Sequence, residues 1–358
     1  MTCGVDAADP PPMPGRTVSI RTLQEEMLAT TQERVALDLV ISQAGMIKRE
    51  EVELFYSQLL EYQSIVYRLE MALAKDDATR TKARESFIQI AKDNRERSAE
   101  RVKVGIEGPV VIFEADARWY ALQAELASTP AKRLEFQKER ADAANQALKR
   151  LEELLATGSI RRESFANAYA RQFKLLEELR DAQSASLDDP SERKKALQQI
   201  LDRSKQLDAQ IQSRVKLGDL NPSHGYQSTI RILQAEASLE ADPKQKRRIQ
   251  QAVVENAVKG LEWVQQVIAN GHVSYFQTEA FLLHCNNLQQ DYIRAKLEIS
   301  NDPETKLAIY KANLATATAS EVVYRQRNKI GDLRKQLVLT ATYNRLYAEL
   351  QLAKATTN

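Results

Sequence analysis

The chain has 358 residues, 43% of them hydrophobic and 28% charged, and its 51 basic and 49 acidic side chains leave a net charge of +2. This is too apolar for a disordered chain and too evenly charged to recruit nucleic acid or an anionic membrane through a bulk field. No apolar run approaches the ~18 residues that a membrane-spanning helix needs, and Gly and Pro are sparse beside Ala, Leu, Glu, Gln, Lys and Arg, which favours long helices.

In chain order, residues 1–16 read as a flexible, Pro-rich tail, and the first helix is expected from about Thr17. Glycines that close helical stretches then recur at Gly45, Gly105, Gly158, Gly218, Gly271 and Gly331, spaced 60, 53, 60, 53 and 60. Acidic or Pro turns lie between them at Asp77, Pro130, Pro190, Pro243 and Pro303, each 28 residues before the next Gly. The two spacings together give a period of 113 residues. Flanking residues follow it: Arg101-Val102-Lys103-Val104-Gly105 returns as Arg214-Val215-Lys216-Leu217-Gly218 and as Arg327-Asn328-Lys329-Ile330-Gly331. The reading is an all-α chain of three tandem repeats, 17–129, 130–242 and 243–358, each of four antiparallel helices, twelve in all. The spacing does not distinguish an open, elongated stack from a closed ring, and open stacking is the default for repeats.

The turns carry the chemistry of helix ends. Asp189-Pro190 and Asp302-Pro303 place a capping oxygen before a Pro at the first helical position, and Thr129-Pro130 does so with a hydroxyl. Glu192, three residues after Asp189, has capping-box spacing. Each following Gly suits the left-handed residue that ends a helix, and Arg and Lys in the last turn face the negative end of its dipole. Helices of roughly 27 residues should run from turn to Gly, about 40 Å each.

Apolar residues after the alternate glycines step by four and three, as in a coiled-coil-like seam. Phe55, Leu59, Tyr62, Val66, Leu69 and Leu73 follow Gly45, and Phe281, Cys285, Leu288, Tyr292, Ala295 and Ile299 follow Gly271. At the same offsets the middle repeat has Ala168, Gln172, Leu175, Leu179, Ala182 and Ser186, a smaller and more polar seam that should pack less tightly. Pro109 and Pro222 follow their glycines by four and delay the next helix; Lys335 stands there in the third repeat, whose last helix is expected to start earlier.

Nothing in the chain forms a catalytic or cofactor signature. His284-Cys285 is the most reactive-looking pair, but Cys285 occupies a seam position and reads as a buried, inert thiol. A di-iron carboxylate bundle needs Glu three residues before His, whereas Asn221, Ala269 and Phe281 precede His224, His272 and His284. No phosphate-binding Gly motif is present, and the two cysteines offer no metal or disulfide spacing. Trp119 and Trp263 fall at helical spacing and read as core. Asp76, Asp77, Asp188, Asp189, Asp242 and Asp302 read as caps. The recurring basic set Arg101/Lys103, Arg214/Lys216 and Arg327/Lys329 complements helix dipoles, and its sharper reading is a grip on an anionic partner.

Val104-Gly105, Ile112-Phe113-Glu114-Ala115 and Ala124-Glu125-Leu126-Ala127 together resemble part of the outer-membrane efflux protein (TolC-like) family, in which a Gly turn precedes a small-residue helix. Ala44-Gly45 and Ala269-Asn270-Gly271 resemble the same turn. The likeness covers about 25 residues after each Gly and implies an envelope location and a helical tunnel, ringed by twelve helices in that family's trimer. The chain departs from the family in lacking strand segments for a membrane barrel and in its shorter helices, so no functional residue carries over.

The sequence therefore predicts a noncatalytic helical-repeat scaffold that presents an extended surface to a protein partner, with no cofactor, no metal and no nucleic acid. The alternative is a periplasmic or envelope component related to the efflux proteins. A third class is an enzyme with a site near His284-Cys285. The N-terminus has neither a basic start nor an apolar core, so the sequence as given predicts a cytoplasmic protein, or a periplasmic one if a signal peptide precedes Met1.

Overall fold

The computed structural model describes residues 19–43, 52–105, 108–159, 165–269, 275–329, 331 and 334–357. Twelve helices and no strand occur among these residues: α1 (Ile20–Gln43), α2 (Val52–Leu73), α3 (Asp77–Lys103), α4 (Val110–Leu126), α5 (Pro130–Ala156), α6 (Phe165–Ser186), α7 (Pro190–Lys216), α8 (Pro222–Leu239), α9 (Pro243–Ala269), α10 (Tyr275–Ile299), α11 (Pro303–Lys329) and α12 (Lys335–Thr357). The fold is all-α, with helices adjacent in sequence packed on one another. The N-terminal tail and the turns at Gly45 and Gly271 lie outside the described residues.

Local chemistry sets the helix lengths. The helices α3, α5, α7, α9 and α11 each have 27 residues, the length expected from turn to Gly. At their starts, capping oxygens accept backbone N–H groups: Asp76 from Thr79 at 2.7 Å, Thr129 from Lys132 at 3.3 Å, Asp189 from Ser191 at 2.9 Å, Asp242 from Lys244 at 3.0 Å and Asp302 from Thr305 at 2.8 Å. The cap of α3 is thus Asp76, while Asp77 is its first helical residue and pairs with Arg80. At the other end Gly105, Gly158, Gly218 and Gly331 have φ of 73°, 68°, 74° and 77°, the left-handed stop that lets the chain leave the helix.

The start of α12 corrects an expectation. It begins at Lys335, the same offset from its Gly as Pro222 of α8, and not earlier. The turn after Gly331 sets the start, because Leu337 N already donates to Arg334 O at 3.1 Å. Pro is therefore compatible with this position but does not create it.

The chain divides into two compact units, residues 1–47, 57–84 and 250–358 in one and 48–56 and 85–249 in the other. The second unit holds a core of α4 to α7 built on Ala141, Ala144, Ala147, Leu148, Leu151, Ala182, Ile200 and Leu207. All six residues of the middle seam are buried there, from Ala182 at 0% exposed to Ser186 at 7%. This overturns the expectation of looser packing: small side chains on α5 and α6 let the two helices approach closely, so small here means close. Between-helix ion pairs border the core, including Arg140–Glu178, Arg231–Glu177, and Arg171 to both carboxylate oxygens of Glu114 at 2.9 and 3.0 Å.

In the first unit the first and last helices pack together. Leu23 and Met27 of α1 share a core with Leu69, Leu346 and Leu350. Arg34, on α1, donates to Gln336 O at 2.6 Å and Thr340 Oγ1 at 3.0 Å on α12, pairs with buried Asp38 at 2.9 Å, and lies 4.7 Å from the centroid of the Tyr62 ring. The first and last helices of the chain are therefore neighbours within this unit.

Candidate functional site

The basic set at the ends of α3, α7 and α11 separates into two kinds of residue. Arg101, Arg214 and Arg327 are half-buried, whereas Lys103, Lys216 and Lys329 are exposed. The arrangement recurs because each Lys follows its Arg by two residues, which on a helix turns it about 200° to another face.

The arginines are committed to their own surroundings. Arg214 Nη1 donates to Asp219 Oδ2 at 2.9 Å, and its guanidinium lies 4.4 Å from the centroid of the Phe165 ring. The Asp219 hydrogen bond is the main cause holding the Arg214 pKa above its ordinary value. Gly218 N donates to Val215 O and Asp219 N to Arg214 O, so the Gly turn itself delivers Asp219 to the arginine. Arg101 Nη2 donates to Ser98 Oγ at 3.1 Å. Among the described residues, Lys103, Lys216 and Lys329 make no ion pair. Beside two of them stand large apolar side chains, Val104 and Leu217, each 67% exposed. An accessible ammonium next to an accessible aliphatic group is thus the chemistry these helix ends present.

Polar bridges between consecutive helices occur elsewhere at the 113-residue offset and serve the fold. Arg95 on α3 pairs with Asp116 on α4. On α7, Asp208 accepts from Ser228 of α8 and from Gln212, which also reaches Thr229 at 3.4 Å. Glu321 on α11 accepts from Thr342 of α12 at 2.8 Å and pairs with Arg325 and Arg345. Burial alone would raise the Glu321 pKa, but the hydrogen bonds from Arg325 and Thr342 and the charge of Arg345 outweigh it and hold the carboxyl below its ordinary value.

Of the residues weighed for catalysis, Cys285 is a half-buried thiol in α10 outside any disulfide, less enclosed than a core position implies. The side chain of His284, and His272, lie outside the described residues. Burial depresses the pKa of His224, near the start of α8. Trp119 and Trp263 are half-buried. Among the described residues no group of three His, Cys, Asp or Glu side chains is placed to hold a metal ion, and no helix is long and apolar enough to cross a membrane. One feature escaped the spacing argument: a small polar cavity between α10, α11 and α12. Setting the repeats side by side at inward positions would have found it, because amides stand there in place of aliphatic residues.

Neither a protein-family model nor a curated protein matches the chain.

Proposed function

We propose that the chain is a noncatalytic helical-repeat scaffold that holds acidic protein partners at its helix ends, those of α3 and α7 in the second unit and that of α11 in the first. The observation that carries this reading is the accessibility of Lys103, Lys216 and Lys329, with exposed Val104 and Leu217 beside the first two, while the neighbouring arginines are half-buried. Exposed ammonium groups steer an acidic surface into contact and are screened by salt, and the aliphatic neighbours add a contact that salt does not weaken. Residues needed only to complement a helix dipole have no reason to stand beside exposed large aliphatics.

The test is partner capture by the intact chain and by the triple variant Lys103→Glu, Lys216→Glu, Lys329→Glu, at low and at 0.5 M salt. The expected outcome is retention of an acidic partner by the intact chain, weakened by salt and lost in the variant. Dipole complementation alone predicts a variant that is less stable by about 0.3–1 kcal/mol per site yet holds the same partner. That result sinks the proposal.

A second reading, an envelope component related to the efflux proteins, draws support from the left-handed Gly105 ahead of α4, whose inward face is lined by Ala115, Ala117 and Ala124. An in-frame signal peptide upstream of Met1, together with recovery of the native protein in the envelope fraction, would favour it over the first.

A further inference from the structure

The cavity in the first unit is lined by Asn286 and Gln289 of α10, Asn313, Ser320 and Tyr324 of α11, and Asn344 of α12, with no Asp, Glu, Lys or Arg among its described lining residues. Asn313 is 7% exposed, and its amide makes no hydrogen bond to another described residue. Its amide lines the cavity, where water or a ligand group is the partner open to it.

The same positions 113 residues earlier show what the fold places there otherwise: Phe173, Leu176, Ile200, Leu207, Ile211 and Arg231. Leu176, Ile200, Leu207 and Ile211 are buried members of the second unit's core, and Phe173 packs against it. The third repeat thus carries two asparagines, a glutamine, a serine and a tyrosine at five offsets that are apolar in the middle repeat. The exchanges at Phe173, Leu176, Ile200 and Leu207 give up aliphatic or aromatic burial for polar side chains, whereas Tyr324 stays buried in an apolar cluster with Val338 and Ala341.

We propose that this cavity is a binding site for a neutral, polyhydroxylated small molecule. A carboxamide offers two donors and an acceptor, and each ligand hydroxyl is both donor and acceptor, so the two match pairwise. The absence of charge from the wall disfavours phosphorylated or carboxylated ligands, which would bring an uncompensated charge against Asn313. The enclosed space is about 20 Å³, room for about one water or one hydroxymethyl group. The ligand therefore enters end-on, with Asn313 at the base and the rest of its hydroxyls toward the exposed rim at Gln290.

The test uses the full chain and saturation-transfer NMR with glycerol, myo-inositol and D-glucose as probes and glucose 6-phosphate as the charged control. The wild-type chain should transfer saturation to at least one neutral probe and not to the phosphate. Asn313→Ile, which restores the residue type of Ile200, should reduce the transfer at least tenfold while raising the melting temperature. Asn344→Ala, at a half-buried position, should weaken the transfer several-fold and serves if the first variant does not fold. No transfer to any neutral probe means that the cavity holds water only and overturns the proposal. Transfer that is equal in wild type and variants, or stronger to the phosphate, overturns it too. The triple lysine variant should bind the polyol as wild type does, which keeps this result separate from partner capture.

Discussion

At the scale of single residues, the positions that depart from the pattern carry the energetic information. His224 is an example. Burial depresses its pKa below that of an exposed imidazole, so the fold holds it neutral while the unfolded chain takes up a proton as the pH drops. A depressed histidine contributes stability that is fully present above the unfolded pKa and is lost as the pH falls from about 6.5 toward the folded value. The unfolded state binds more protons in that window, so urea midpoints should fall with falling pH there, with a slope of at most about 1.4 kcal/mol per pH unit from this one group. His224→Gln should flatten that part of the profile. An unchanged slope would assign it to other groups. The sequence excluded His224 from a di-iron site and assigned it no other role, because burial depends on which helices cover α8, and spacing along the chain does not carry that. Glu321 belongs with it: a carboxylate at 6% exposure is unremarkable in the sequence and becomes a three-partner hub only once α12 brings Thr342 and Arg345 across.

At the scale of elements, the sequence was most legible where the physics is local. Helix starts at Pro130, Pro190, Pro243 and Pro303, the side-chain caps before them and the left-handed Gly158, Gly218 and Gly331 all depend on residues within a few positions. The seam was less so. Its periodicity identified the inward positions, and Ala168, Gln172 and Ala182 are indeed buried, but tightness depends on how closely the facing helix approaches. Ala144 and Ala147 on α5, both 0% exposed, belong to the same core as that seam. The start of α12 shows a local signal read too strongly. Since Lys335 already sits at the first helical position, Lys335→Pro should be tolerated: that position needs no N–H partner within the helix, and Pro removes freedom from the unfolded chain. The only described ion pair lost is the exposed one to Glu33, which is worth little. Thermal unfolding should show a gain of about 0.5 kcal/mol. A loss above ~1 kcal/mol would mean that the backbone at Lys335 is not helical in solution.

At the scale of the molecule, the contact between α1 and α12 is what periodicity could not supply. A repeat pattern specifies how a unit meets the next one and is silent on what the first unit meets before it. One sequence trace of the answer exists: Arg34 and Asp38 occupy positions that are Ala147 and Leu151 one period later, both buried apolar residues in α5. A charged pair at an inward position signals a different neighbour, and α12 is that neighbour, offering Gln336 O and Thr340 Oγ1 to the Arg34 guanidinium. The contact is testable through Leu23, 1% exposed in the core shared with Leu346 and Leu350. If α1 packs on α12 in solution, Leu23→Ala removes buried methyl groups and leaves a gap, at a cost of about 2–5 kcal/mol. Amide protection should then fall in residues 335–357 as well as in α1, because the two helices lose the same core. In an open array the outer face of the first helix would meet water, and Leu23→Ala would change stability by less than about 0.5 kcal/mol with no effect on the last helix. Hydrogen exchange of the two chains separates these outcomes, since only a packed pair transmits a defect on the first helix of the chain to the last.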